Sequence, residues 1–367
     1  MPQLLTFLHV NLILILLWSF IELSAKSAAA THNHILPSLQ GRPVTDNFKA
    51  MKFPQGYSNL WGPQHQRVSK DKSSVTLTLD ISSGDTTQNF PSVFNMSANA
   101  MNRCFISLHL KASDKLHLLI VFLLDAGSGF KSKKTYMYGF FNAALRLQSG
   151  YTAGIITSFY LSNNQVYEGW HDEVDIEFLG TIPGEPYKLQ TNVYGNGTGD
   201  GSHLTGREQH FHLWFDPTKD FHNYSILWTP HQILFMVDSI PIRRFPKVKS
   251  LGMQYPSKPM SVYATIWDAS AWATDGGKYK ANYSYQPFVS TYTNFMISGC
   301  SQPGYLGKKC AHGYLDSFIS PKLNRFQRHA LQFVRKNYMI YDYCQDFQRY
   351  PNGMAECPPF SKHSRLP

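Results

Sequence analysis

The chain is poor in cysteine, short of acid relative to base, and almost without helical periodicity. Five cysteines stand among 367 residues, and no two form a Cys-x-x-Cys pair. That spacing gives no thiolate cluster for zinc, and no metal site is expected. Neither a phosphate-cradling glycine loop nor a His/Cys set at metal-ligand spacing occurs, so no cofactor is expected. Lys and Arg outnumber Asp and Glu by 34 to 24, for a formal net charge of +10. The excess is scattered: its densest groups are Lys131, Lys133 and Lys134, then Arg243 and Arg244. Such dispersal argues against nucleic acid as a partner and suits weak adsorption to an anionic matrix. No apolar run reaches the ~20 residues of a bilayer span; Leu12–Ile21 and Leu116–Leu124 both fall short.

The first of those runs is followed by small residues, Ser24-Ala-Lys-Ser-Ala-Ala-Ala30, and reads as a secretory signal over residues 1–30. Its leading segment carries His9 but no Lys or Arg, so an uncleaved anchor is the alternative. After cleavage no membrane attachment is expected. The cysteines agree with export. Cys300, Cys310, Cys344 and Cys357 crowd the last stretch of the chain. Of the three possible pairings, Cys300–Cys310 with Cys344–Cys357 closes the shortest loops. Cys104 is left over. Asn95, Asn196, Asn223 and Asn282 sit in glycosylation sequons.

What the chain does have is apolar and aromatic substance, 43% and 14% of residues, ample for one large core with an appendage. Alternating stretches recur at Val75–Leu79, Tyr136–Leu147, Ile155–Leu161, Leu189–Tyr194, His210–Phe215, Tyr224–Trp228, Ile233–Val237 and Met260–Ile266. Turn residues separate them. Many short strands of this kind predict an all-β antiparallel sandwich. A helical period emerges only at Asn324–Lys336, where Phe326, Ala330, Phe333 and Val334 share a face. It lies among the clustered cysteines and predicts a small helical appendage.

The most telling segment is His171-Asp-Glu-Val-Asp-Ile-Glu-Phe178. In a strand, successive side chains point to opposite faces. Glu173, Asp175 and Glu177 therefore share one face, while Val174, Ile176 and Phe178 fill the other. Aligned acids raise one another's pKa, which costs free energy and suits acid–base chemistry. A half-buried strand with a wet face would show the same alternation. Calcium would also accept carboxylates, but no loop of the usual liganding spacing surrounds them.

The octapeptide and Leu179-Gly180 after it resemble the signature of plant xyloglucan endotransglucosylase/hydrolases in glycoside hydrolase family 16. Gly56-Tyr-Ser-Asn-Leu-Trp-Gly62, Ser128-Gly-Phe-Lys-Ser-Lys133, Gln190-Thr-Asn192, Arg207-Glu-Gln209, Leu213–His222, Ile266–Thr274 and Tyr338–Cys344 follow in the family's order. The resemblance covers about residues 45–357. It implies a concave β-jelly-roll over residues 31–297, with a short disulfide-linked α/β extension over 298–367 on the acceptor side of a polysaccharide cleft. It implies a secreted enzyme of the cell wall and apoplast that cleaves the β-1,4-glucan backbone of xyloglucan by a retaining double displacement. The fragment passes to another xyloglucan chain, to an oligosaccharide acceptor or to water. Glu173 would be the nucleophile, Glu177 the general acid and then base, and Asp175 would tune both. A non-catalytic wall lectin on the same sandwich is the competing reading. Glu173 and Glu177 are four residues apart, ~13 Å between Cα atoms in a strand. Retaining chemistry needs carboxyls ~5–5.5 Å apart, so side-chain reach and strand curvature must close the gap.

Substrate contacts carried over from the resemblance fall on Gln190, Thr191, Asn192, Arg207, Glu208, Gln209, Trp267, Ala271, Trp272 and Gly276, with Glu177 itself. His171 either orients a neighbouring carboxylate or caps the strand. Two features depart from the family pattern. The linker from Val193 to Gly206 is long, as in the members where hydrolysis accompanies or replaces transfer, and the sequon after the catalytic strand is missing. Residues 85–127 have no counterpart and interrupt one continuous motif; they read as a retained intron or an annotation error, the alternative being a long inserted loop.

Overall fold

The computed structural model describes residues 43–84, 127–196, 205–301 and 322–357. The expected signal peptide, Cys104, Cys310, the sequon at Asn95, residues 85–126 and the middle of the Val193–Gly206 linker lie outside them. Among the described residues two antiparallel sheets form. The first takes β1 (Tyr57–Trp61), β4 (Gly127–Ser132), β13 (Ser261–Asp268), β6 (Ile155–Ser162), β7 (Glu173–Leu179), β8 (Lys188–Tyr194), β9 (Gln209–His212) and β15 (Met339–Asp342), in that spatial order. The second runs β12 (Ile240–Pro246), β11 (Gln232–Val237), β10 (His222–Trp228), β5 (Tyr136–Arg146), β14 (Phe288–Ser301), β3 (Ser74–Leu79) and β2 (Gln66–Val68).

The sheets bury their alternate residues against each other. Val174, Ile176 and Phe178 of β7 are fully buried, each worth ~1.5–3 kcal/mol of transfer free energy. Phe178 meets Tyr224 of the opposite sheet edge-on, with ring centroids 4.7 Å apart. Polar ties cross the interior as well. Tyr292 Oη of β14 donates to Ser158 O of β6 at 3.0 Å. Arg243 of β12, fully buried, donates to Thr191 O of β8 at 2.8 Å.

Helix Arg325–Asn337 begins at an Asn324–Gln327 capping box and buries Ala330 and Val334, where the sequence places a helix. β15 follows it, and a disulfide joins Cys344 to Cys357. Cys300 is also disulfide-bonded; its expected pairing with Cys310 lies outside the described residues.

Two expected boundaries move. Gly127 is the first residue of β4 and pairs with Trp267, so it belongs to the sheet and not to the unmatched segment. The division at residue 297 cuts through β14, which continues to Ser301. Six strands, β1, β2, β4, β12, β14 and β15, go beyond the alternating stretches of the sequence. β4 reads Gly-Ser-Gly-Phe-Lys-Ser, poor in strand formers. Its glycines are there for room: a Cβ at Gly129 would stand 2.6 Å from the Trp61 ring. β14 loses its alternation at two bulges, between Thr293 and Met296 and between Gly299 and Cys300.

Candidate active site

β7 lies between β6 and β8, so each acid has a neighbour on both sides. Ser162 and Tyr194 flank Glu173, Tyr160 and Asn192 flank Asp175, and Ser158 and Gln190 flank Glu177. These rows extend further on the same face. Tyr263 and Lys131 continue the Asp175 row across β13 and β4. His210 and Tyr341 continue the Glu177 row across β9 and β15. A last row, Trp267, Ile156, Leu179, Lys188 and His212, closes one end. One face of the first sheet is therefore a floor with three acids at its centre and aromatic side chains to either side. Tyr160 and Tyr263 stack with centroids 5.1 Å apart.

The acids are strongly perturbed. Burial pushes Glu173 up to about 7, opposed by a hydrogen bond from Ser162 and reinforced by the charge of Glu177. Burial also pushes Glu177 up to about 7; Gln190 opposes this by donating a hydrogen bond, and Glu208 adds to it. Asp175 rises well above the ordinary range through burial and the charges of Glu173, Glu177 and Glu208, with Arg243 pulling the other way. Glu173 keeps 21% of its side chain exposed. Glu173 is thus reachable from solvent yet largely stripped of water, while Asp175 is buried. Three such groups cannot all ionise at neutral pH, and the set holds protons in common. His171 Nε2 lies 3.8 Å from Glu173 Oε2, and burial lowers its pKa.

Asp172 anchors the start of this strand. Fully buried, it accepts from the backbone amides of Asn196, Ser257 and Lys258.

The remaining expected residues divide. Gln190 and Asn192 share the acid face. Gln190 Nε2 reaches Glu177 Oε2 at 2.6 Å. Asn192 Oδ1 accepts from the Val193 and Arg207 amides. Ala271, Trp272 and Gly276 lie after β13 on a segment tied to the end of β7, where Thr274 Oγ1 donates to Gly180 O at 2.6 Å. Trp272 is 41% exposed and lies 6.2 Å from Trp267 between ring centroids. Trp267 also packs against Ile156, Ala269 and Ala273.

Thr191 and Arg207 are corrected as sugar contacts, and so is Gln209. Thr191 alternates away from the cleft, is fully buried and meets Arg243. Arg207 is 3% exposed and pairs with Glu356 of the C-terminal extension, while Nη1 bonds Val193 O and Thr205 O. Gln209 is buried and donates to Asp342 Oδ1 of β15 at 3.0 Å. Glu208 is held by both Nη atoms of Arg349, at 2.7 and 3.1 Å, and its charge raises the pKa values of Asp175 and Glu177. The Arg207-Glu-Gln209 motif is thus largely a clasp for the extension. Tyr160, Tyr194, Tyr263, His210 and Tyr341 also lie on the acid face, with no local signal in the sequence to mark them.

The arrangement is matched among known proteins. The model of glycosyl hydrolases family 16 matches residues 53–285, and that of the xyloglucan endo-transglycosylase C-terminus matches residues 311–357. Probable xyloglucan endotransglucosylase/hydrolase protein 30 of Arabidopsis thaliana is 46% identical over 68% of this chain and 72% of its own length. Protein 31 of the same series is 40% identical over 92% of this chain and 98% of its own.

The chain belongs to the xyloglucan endotransglucosylase/hydrolases of glycosyl hydrolase family 16.

A looser likeness, TM-score 0.43 and 18% identity over 66% of this chain and 92% of the other, is to a Bacillus licheniformis beta-glucanase. In this chain Glu173–Phe178 of the octapeptide lie on β7, a central strand of its sheet. Among the described residues no group of His, Cys, Asp and Glu could hold a metal ion, and no helix is long and apolar enough to cross a membrane.

Proposed function

We propose that this chain cuts the β-1,4-glucan backbone of xyloglucan with retention and hands the fragment to a second xyloglucan chain or to water. Glu173 attacks the anomeric carbon and forms a glycosyl ester, while Glu177 gives its proton to the departing sugar oxygen. In the second half Glu177 takes a proton from the incoming hydroxyl or water, whose oxygen displaces Glu173. The reaction needs one carboxylate charged and its companion protonated at the same pH. The observation that carries the reading is the trio of acids on one open face, with both glutamates lifted to about 7. Asp175 between them keeps a proton in the set. A carbohydrate-binding sandwich without chemistry has no use for so costly a row of acids.

Gln190, Asn192, Trp267, Ala271, Trp272 and Gly276 line the cleft around the scissile bond, and Glu208 and Arg349 border its acceptor end. Hydrolysis accompanies transfer, in keeping with the long linker from Val193 to Gly206. The protein acts outside the cell, in the wall, where its net charge of +10 favours the anionic matrix. Residues 1–30 direct it there and are removed.

The test is incubation of xyloglucan with a labelled xyloglucan oligosaccharide, using wild type and Glu173→Ala. Wild type should transfer label to polymer and shorten the chains, and the variant should do neither. Equal behaviour of the two proteins would overturn the assignment of Glu173.

A further inference from the structure

Positive charge that is dispersed along the chain is gathered by the fold. The short helix Phe53–Gly56 leads into β1, an edge strand of the first sheet. Two other segments are bonded to its ends. The Phe53 amide donates to Lys72 O, in the turn between β2 and β3, at 2.8 Å. The Lys133 amide, just past β4, donates to Gly56 O at 2.9 Å, and Lys133 Nζ donates to Pro54 O. Lys52, Lys70, Lys72, Lys133 and Lys134 therefore cluster around one helix, and all five are exposed. The helix is only ~6 Å long at ~1.5 Å per residue, so these charges feel one another within the ~8–10 Å over which salt screens them.

One acid stands among them. The Asp71 carboxylate accepts from Ser69 Oγ, from the Ser73 amide and from Lys52 Nζ at 3.4 Å. Lys52 is thereby offset. Among the described residues no carboxylate lies within ion-pair distance of Lys70, Lys72, Lys133 or Lys134. Four like charges held side by side repel, and a polyanion laid over them relieves the repulsion. The patch stands apart from the acid row: β1 is four strands from β7 in its sheet, ~19 Å at ~4.8 Å per strand.

The chemistry of the patch selects its partner. All five cations are lysines, compact point charges that suit single carboxylates, whereas the planar fork of arginine is the better match to phosphate. Among the described residues, no large exposed apolar side chain falls within 52–56, 69–73 or 132–135. Nothing there stacks on a nucleobase or enters a lipid surface.

We propose that this patch docks a polyuronate, a sugar polymer with a carboxylate on each unit, while the cleft works on xyloglucan. The inference rests on the reading given above that the protein acts in an anionic matrix, and replaces a diffuse net charge with a defined surface.

The test measures binding of the full chain to immobilised polygalacturonate at low ionic strength. Lys70→Gln, Lys72→Gly and Lys134→Gln together take three charges from the patch, and glycine suits the φ of 61° at position 72. Lys219→Gln, Arg325→Gln and Lys336→Gln together take three exposed charges from elsewhere. The patch variant should bind about tenfold more weakly than wild type, and the control should stay within about threefold. Both should keep the thermal midpoint of wild type and its cleavage of soluble xyloglucan. Should Lys72→Gly unsettle the turn, Lys70→Gln with Lys134→Gln carries the test against two of the control changes. Equal weakening of patch variant and control overturns the proposal and leaves the net-charge reading standing. Wild type that is not retained at all overturns the matrix reading itself. Binding to phosphatidylserine vesicles that the patch variant loses, with polygalacturonate binding intact, overturns the proposal in favour of a membrane partner.

Discussion

Gln190 Nε2 lies 2.6 Å from Glu177 Oε2 and donates into the carboxylate from the adjoining strand. The bond favours the ionised acid and so opposes the rise that burial produces. Removing it in Gln190→Ala should raise the pKa of Glu177 further. An acid catalyst works while protonated, so the alkaline limb of kcat/KM should move to higher pH. A pH profile on xyloglucan checks this, and a limb that stays put or moves down contradicts it.

The acid row should make the folded protein less stable as pH rises. Glu173 has a folded pKa above its ordinary 4.5, so the native state binds more protons than the unfolded chain between about 4.5 and 7. Its stabilising share is present below about 4.5 and is lost by about 7. Glu173→Gln, which carries no charge, should exceed wild type at pH 7.5 by at most about 3.5 kcal/mol, at ~1.4 kcal/mol per pH unit. The two should converge near pH 4. Denaturant unfolding at both pH values measures it; a variant less stable than wild type at pH 7.5 refutes the sign.

Arg207 and Glu356 form a pair with each side chain only 4% exposed. Breaking one partner leaves a buried charge, at a cost of ~3–5 kcal/mol. Arg207→Met should lower the unfolding midpoint sharply, and Arg207→Met with Glu356→Met should recover much of the loss. KM for xyloglucan should hold at temperatures where the variants are folded. A raised KM with unchanged stability would return Arg207 to the sugar-binding set.

Removing residues 85–126, which link β3 of one sheet to β4 of the other along the chain, should leave the sandwich intact. Ser128 Oγ of β4 donates to Thr78 O of β3 at 3.1 Å, so the strands before and after the segment are already joined across space. Fusing Gly84 to Gly127 through a Gly-Ser pair should give equal activity and a higher soluble yield. Loss of activity in that protein would make the segment part of the enzyme.

Much of this was legible in the chain itself. The period-two patterns of Tyr136–Leu147 and Ile155–Leu161 placed β5 and β6, and the spacing of Glu173, Asp175 and Glu177 placed all three acids on one face. Pairing was not legible. Tyr160 faces the cleft because β6 lies beside β7 with Tyr160 opposite Asp175, a register that no local pattern encodes. Arg207 misled for the converse reason. A charged residue in a recurrent motif suggests ligand contact, whereas its partner Glu356 lies far along the chain. Thr191 shares a motif with Gln190 and Asn192, yet alternation alone turns it inward.

The sheet bearing the acids is finished by β15, which binds β9 through pairs such as Asp342 with Gln209, 133 positions earlier. During synthesis the ribosome delivers the acid-bearing strand long before the piece that completes this edge of its sheet. The edge of β9 stays open until then, and the sheet is whole only once translation has passed the helix and the strand after it.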